Sequence, residues 1–179
     1  MFRSMEYYVL HVQTGKEDDF VRWAKDPRHT IPSGSLYLPK RILEIRRMNK
    51  VRKEMKPLYP GYIFWQTEGF SPGDTMGWRK VPGFMRILGQ NGKPQALSDT
   101  DLEILHHLQG FGDILGLSLV TFDENDRIVV ISGVMKGLEG KIVKVDKRKR
   151  RAKIRSTMNN SVSEFDLGFE ILQPSERGE

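Results

Sequence analysis

The chain has 179 residues, with 29 Lys and Arg against 23 Asp and Glu, a net charge of +6 and a pI near 9.5. That length holds one domain or two small ones, and the basic balance favours nucleic acid or an acidic partner without fixing a fold. The absence of cysteine excludes disulfides and thiolate metal sites, while His11, His29, His106 and His107 show no metal-ligand spacing with carboxylates. No apolar run reaches membrane-spanning length and the start lacks a secretory pattern, so a reducing cytosol is expected.

Tyr7 to Gln13 is aromatic and β-branched enough for a strand, ended by Thr14-Gly15. From Lys16 to Lys25, Phe20, Val21, Trp23 and Ala24 form one apolar helical stripe behind acidic Glu17, Asp18 and Asp19, and Pro27 stops the helix. Leu36 to Leu38 and Ile42 to Ile45 read as strand segments separated by Pro39. Lys40 to Lys56 carries eight cations against Glu44 and Glu54 and reads as a basic hairpin, either solvated or in contact with nucleic acid. Its cations Arg46, Arg47, Lys50, Arg52 and Lys53 are candidates for upstream or non-template DNA.

Pro57 to Trp65 is a dense aromatic strand in which Tyr62 and Phe64 face one way and Ile63 and Trp65 the other. Asp74 to Lys80 reads as a short helix anchored by Trp78. Val81 to Leu88 follows as loop and strand, and Gly89 to Gly92 as a turn. Ser98 with Asp101 specifies a capped helix from Asp99 to about Leu108. The order β-α-β-β-α-β-α implies an α+β fold, a sheet with helices on its faces. Gly110 to Ser118, with three glycines, reads as a linker before a second domain that begins near Leu119.

In that second domain, Ile128 to Ile131 and Lys141 to Val145 are expected as two antiparallel strands joined by a tight loop through Gly133, Gly137 and Gly140. Asp146 to Arg151 is a turn with five consecutive cations, and Ala152 to Arg155 another strand. Lys136, Lys141, Lys144, Lys147, Arg148, Lys149, Arg150, Arg151, Lys153 and Arg155 stand against Glu139 and Asp146, whereas Ser156 to Glu179 sets Arg177 against five carboxylates. A cluster of ten cations belongs in water or against a polyanion, where it would release counterions and make affinity depend steeply on salt. Arginines there could also stack on unpaired RNA bases. Enzymatic motifs are missing: His106 and His107 are adjacent and face about 100° apart on a helix, and neither a phosphate-cradling loop nor a nucleophile elbow occurs. No catalytic set and no cofactor are expected.

Read together, Tyr7-Tyr8-Val9-Leu10, Tyr59-Pro60-Gly61-Tyr62, Trp78 with Val81-Pro82-Gly83 and Ile87-Leu88-Gly89, Leu97-Ser98-Asp99, and the glycine-containing C-terminal module make the chain resemble the NusG-type transcription elongation factors over almost its whole length. The resemblance implies an N-terminal NGN domain over 1–109, a linker over 110–118 and a five-stranded KOW barrel over 119–179. It also implies that the NGN domain binds the clamp helices of the largest catalytic subunit of bacterial RNA polymerase, at positions matching Tyr7, Tyr59 and Tyr62, extended by Phe84 and Ile87. The dense run from Lys147 to Arg151 and the short linker are similar to specialised LoaP antiterminators and, more distantly, to RfaH. A monomer that takes polymerase in one domain and a hairpin in a leader transcript in the other is expected. The alternative is a housekeeping-like factor whose KOW domain takes a ribosomal protein or termination factor, through Ile131, Val134, Met135 and the stretch Phe165 to Phe169.

Overall fold

The computed structural model describes residues 4–173. In chain order the elements are β1 (Glu6–Val12), α1 (Glu17–Ala24), β2 (Ser35–Tyr37), β3 (Lys40–Arg47), β4 (Lys50–Pro57), β5 (Tyr62–Thr67), α2 (Pro72–Arg79), β6 (Phe84–Ile87), β7 (Gly89–Gln90), β8 (Lys93–Pro94), α3 (Asp99–Gln109), β9 (Ile114–Leu115), β10 (Ser118–Phe122), β11 (Ile128–Ser132), a 3₁₀ turn (Glu139–Lys141), β12 (Ile142–Asp146), β13 (Arg151–Met158) and β14 (Ser161–Ile171). Among the described residues no helix is long and apolar enough to cross a membrane.

Contacts divide the chain into two compact units. The first comprises Met1–Leu38, Tyr59–Leu102 and Met158–Asn160; the second comprises Pro39–Leu58, Glu103–Thr157 and Ser161–Glu179. The basic hairpin β3–β4 belongs by its contacts to the second unit, and the division passes through α3.

The first unit is built on a four-stranded sheet of order β2-β5-β1-β6. β1 and β5 pair antiparallel with Leu10 opposite Ile63 and Tyr8 opposite Trp65, so these four side chains share one face. That face is filled by Phe20 and Ala24 of α1 and Trp78 of α2, and Trp78 stacks on Phe20 at 5.8 Å and meets Trp65 edge-on at 5.4 Å. The expected apolar stripe of α1 is therefore its core face. α2 starts at Pro72, which fits a first helical turn because its missing N–H would be unpaired there. Ser71 donates its N–H to Asp74 at 2.7 Å. At α3, Ser98 and Asp101 cap each other as the sequence predicts, with Ser98 N–H to Asp101 Oδ2 at 3.2 Å and Asp101 N–H to Ser98 Oγ at 3.3 Å.

The second unit carries a five-stranded sheet of order β11-β10-β14-β13-β12 and a three-stranded one of order β4-β3-β9. One expectation is overturned here. The strands at Ile128 and Ile142 do not pair with each other: β11 pairs with β10, β12 pairs with β13, and the two lie at opposite ends of the sheet order. The loop between them is long enough to carry a 3₁₀ turn, and Gly133 and Gly137 adopt φ of +95° and +91° in it. The hairpins are instead set by two-residue turns at positive φ, Asn159-Asn160 between β13 and β14 and Met48-Asn49 between β3 and β4. Turns with both central residues left-handed match the right-handed twist of paired strands, and asparagine tolerates that conformation.

The segment 110–118 is more structured than a tether. Asp113 accepts the Lys40 N–H at 2.8 Å, Ile114 and Leu115 pair parallel with β3, and Leu115 is fully buried. Gly168 of β14 lies so close to this layer that a Cβ would fall 2.5 Å from Leu117 Cδ2 and 2.7 Å from the Ile42 carbonyl oxygen. The second of these is backbone and cannot rotate away. Gly168→Ala is therefore expected to destabilise the chain by about 1–3 kcal/mol, read as an earlier urea transition by far-UV circular dichroism.

Candidate functional site

The first unit's second sheet face carries the sequence-predicted aromatic residues. Cross-strand register sets His11 opposite Tyr62 and Arg86, Val9 opposite Phe64, and Tyr37 opposite Phe64, which places them on one surface. His11 stacks on Tyr62 at 5.0 Å, and Tyr59 meets Phe64 edge-on at 5.6 Å. Tyr62 is half-buried, whereas Tyr7 and Tyr59 are 7% and 6% exposed. Phe84 and Ile87 lie elsewhere: Ile87, 7% exposed, belongs to the helix-covered core, and half-buried Phe84 packs against it. Their contribution to an interface would be indirect, through the sheet they support.

The turn that carries Tyr59 and Tyr62 is held from below. Gly61 sits at φ +83°, where an added Cβ would lie 2.8 Å from Thr14 Oγ1, and its N–H donates to Glu17 Oε1 at 2.7 Å. Glu17, read from sequence as a first-turn acid of α1, is 3% exposed, so it acts as a buried acceptor. The Gly61 carbonyl in turn accepts the Val12 N–H at 2.8 Å.

In the second unit the basic residues are ordered by strand alternation. Lys144 is opposite Lys153 and Asp146 opposite Arg151, so these four share a face, while Ala152 and Ile154 point into the core. Carboxylates of β14 answer them: Lys153 reaches Asp166 at 3.3 Å, Arg151 reaches Asp166 at 3.8 Å, and Arg155 reaches Glu164 at 2.9 Å. Lys149 pairs with Asp146 at 4.0 Å, Arg150 with Glu44 at 3.6 Å, Lys136 with Glu139 at 3.8 Å, and Lys147 with Asp126. Of the ten predicted cations, Lys141, Lys144 and Arg148 make no ion pair among the described residues. The two ends of the C-terminal charge asymmetry thus meet across the sheet. Arg177, Glu176 and Glu179 lie outside the described residues.

The exposed pairs among these, such as Lys147–Asp126 and Lys136–Glu139, contribute only about 0–1 kcal/mol each. A phosphate can therefore replace a carboxylate partner at small cost, and the pairing orders the side chains without removing their positive field. Arg41 is the exception. Burial draws its guanidinium below its ordinary range, Asp166 opposes that shift and Arg151 adds to it. It donates to the Asp166 carbonyl at 2.9 Å and serves packing between the two sheets of this unit. Sequence reading missed Glu164, Asp166 and Glu170 as partners, although their alternation with Phe165, Leu167 and Phe169 was visible at period two.

The basic hairpin is less compensated. Lys53 pairs with Glu170 at 3.3 Å, but Arg46, Arg47, Lys50 and Arg52 make no ion pair among the described residues. Ile45, Arg47, Met48, Lys50, Arg52 and Glu54 line a hollow of about 290 Å³, and Met48 at the tip is 98% exposed. The apolar edge expected for a protein partner is corrected by burial. Ile131 is 43% exposed, but Val134, Met135, Phe165, Leu167 and Phe169 are at most 2% exposed because they fill the core of this unit.

Two measurements test the first unit. Glu17→Ala leaves the buried Gly61 N–H without an acceptor and is expected to cost about 1–3 kcal/mol, seen in urea unfolding followed by the fluorescence of Trp23, Trp65 and Trp78. Glu17→Gln, which keeps an acceptor oxygen, should cost less. Burial, with Arg86 adding to it, holds the His11 imidazole below its usual pKa. The unfolded chain therefore binds more protons below about pH 6.5, and stability falls as the pH drops through that value. His11→Phe should flatten that part of the stability profile.

A family model described as NusG, transcription termination factor, matches residues 5–106, more than half of the chain. The transcription termination/antitermination protein NusG of Thermus thermophilus is 25% identical over 186 residues, covering 93% of this chain and 96% of its own. The protein of the same name from Helicobacter pylori is 25% identical over 177 residues, covering 94% and 95%. A solved structure of Thermotoga maritima NusG is alike in fold, with a TM-score of 0.53 at 20% identity over 92% of this chain and 94% of that one. The α+β sheet with its helices and the small β-rich module therefore correspond to NGN and KOW-type domains, and the chain belongs to the NusG family of transcription termination and antitermination factors.

Proposed function

We propose that this chain is a processive antiterminator, divided as an NGN domain over 1–109, a linker over 110–118 and a KOW domain over 119–179. The NGN domain engages the clamp helices of the largest RNA polymerase subunit through the face bearing Tyr7, Tyr59 and Tyr62. The KOW domain takes a hairpin in the nascent leader transcript. The mechanism is tethering and stabilisation of the elongating state, with no covalent chemistry.

The observation that carries the RNA half is the concentration of ten cations between Lys136 and Arg155, with Lys141, Lys144 and Arg148 unpaired among the described residues. Tyr62 suits the polymerase half because a tyrosine covers a large area with few rotors and keeps a polar edge, while buried Tyr7 and Tyr59 support it. Arg46, Arg47, Lys50, Arg52 and Lys53 give the same molecule a second positive surface suited to duplex DNA beside the transcript. A housekeeping role is the second reading, with the KOW domain on a ribosomal protein or termination factor. The near full-length match to the Thermus and Helicobacter proteins and the internal pairing of most of the basic cluster favour it.

The test is a salt-dependent titration of the full chain against an RNA hairpin and matched duplex DNA, with Lys141→Ala, Lys144→Ala and Arg148→Ala combined. RNA-selective binding that weakens on neutralisation, with the slope of log K against log salt becoming shallower by roughly 2 to 3, supports antitermination. Equal, weak binding that the substitutions leave unchanged moves the assignment to the housekeeping role. Tyr62→Ala, which alters the half-buried ring of the three, should abolish co-purification with polymerase while the circular dichroism spectrum is retained.

A further inference from the structure

One aromatic side chain of the second unit was not among the predicted site residues. Phe122, at the end of β10, is half-buried, and its ring is braced edge-on against buried Phe169 at 6.2 Å. Above the ring, Lys147 places its Nζ 3.9 Å from the centroid. Lys147 is exposed and also pairs with exposed Asp126. A flexible lysine that covers a braced aromatic face can swing off it at small cost, because neither an exposed ion pair nor a surface cation–π contact is worth more than about 1 kcal/mol.

The space around that ring is a hollow of about 450 Å³, in which Phe122 and Ile128 meet Val145 beside Arg127 and Lys144, with Asp126 and Asp146 also lining it. Its other wall is the end of β12. The same two residues of β12, Lys144 and Asp146, also line a second hollow of about 130 Å³, closed by Lys149, Arg151, Lys153 and Asp166. Four cations face two carboxylates there, so the second hollow carries a positive excess. An aromatic recess and a cationic recess therefore share one strand end as a common wall.

We propose that these adjoining hollows bind a single unpaired RNA nucleotide, the base stacked on Phe122 in place of the Lys147 ammonium and the neighbouring phosphate seated among Lys144, Lys149 and Lys153. This rests on the RNA-binding reading above and specifies what in the RNA is recognised. Every base has a π-face, so Phe122 selects for a base that is free to leave the helix, and A-form pairs present no such base. Lys147, released from the ring, is left beside the same backbone, where it replaces its contact to Asp126 with one to phosphate. The charge run and the aromatic residue then serve one ligand.

The experiment compares two synthetic RNA hairpins with the full chain, one fully paired and one carrying a single bulged 2-aminopurine, for the wild type and for Phe122→Leu. Stacking on Phe122 quenches the 2-aminopurine, and the bulged hairpin is expected to bind about tenfold more tightly than the paired one. Phe122→Leu keeps an apolar group against Phe169; with its thermal transition unchanged, it should lose both the quench and the preference while retaining binding to the paired hairpin. Lys144→Ala should weaken the bulged hairpin more than the paired one. If the two hairpins bind equally and Phe122→Leu changes nothing, this inference is overturned while the RNA reading stands. If neither hairpin binds at low salt, the RNA reading itself fails and takes this one with it.

Discussion

The second unit depends on the strict alternation of a single long strand. β14 runs for eleven residues, and its inward positions Phe165, Leu167 and Phe169 fill the core while its outward positions Glu164, Asp166 and Glu170 meet Arg155, Arg151, Lys153 and Lys53. A one-residue slip would drive three carboxylates into the core and three large apolar groups into water, so the register is fixed by burial and charge at once. Every cation on β13 takes its orientation from this strand. Gly168 adds a steric condition, since the layer formed by β3 and β9 approaches β14 where it has no side chain.

This ordering changes what the basic run means. Five consecutive cations read from a sequence suggest a mobile, self-repelling tip. In the folded chain Lys147, Lys149, Arg150 and Arg151 each have a carboxylate, supplied by Asp126, Asp146, Glu44 and Asp166 from four different places in the chain. The positive field survives because the ten cations outnumber the six carboxylates they meet, and the side chains are held in a defined pattern. A pattern can discriminate between ligands in a way that diffuse charge cannot.

The first unit solves a different problem. Its sheet places a helix-covered core on one face and a row of aromatic residues on the other, with His11 and Tyr62 stacked across β1 and β5. The Gly61 turn that presents Tyr59 and Tyr62 is fixed by a buried carboxylate from α1, so helix packing and the geometry of the proposed polymerase face are linked through one hydrogen bond. Such a link makes the aromatic face sensitive to changes in α1.

Much of this was legible in the residues. The strand at Tyr7, the stripe of Phe20 and Ala24, the Ser98–Asp101 cap and the opposed faces of Ile63 and Tyr62 follow from periodicities and capping rules that act within a few residues. The family resemblance, carried by motif order, led to the same α+β sheet with helices and a small β-rich C-terminal module. What sequence could not settle was pairing at a distance. It joined the strands at Ile128 and Ile142, which the fold separates, because two β-branched runs around glycines look alike whichever neighbour they choose. It gave no sign that Ile114 and Leu115, inside the expected linker, pair with β3, since their parallel partner lies some seventy residues earlier. Ile87 and Phe165 were assigned to surfaces, although only the assembled sheets decide which apolar residues remain outside. Local chemistry fixed the elements, and the tertiary structure alone chose their partners, because burial and ion pairing are decided by groups that sequence distance keeps apart.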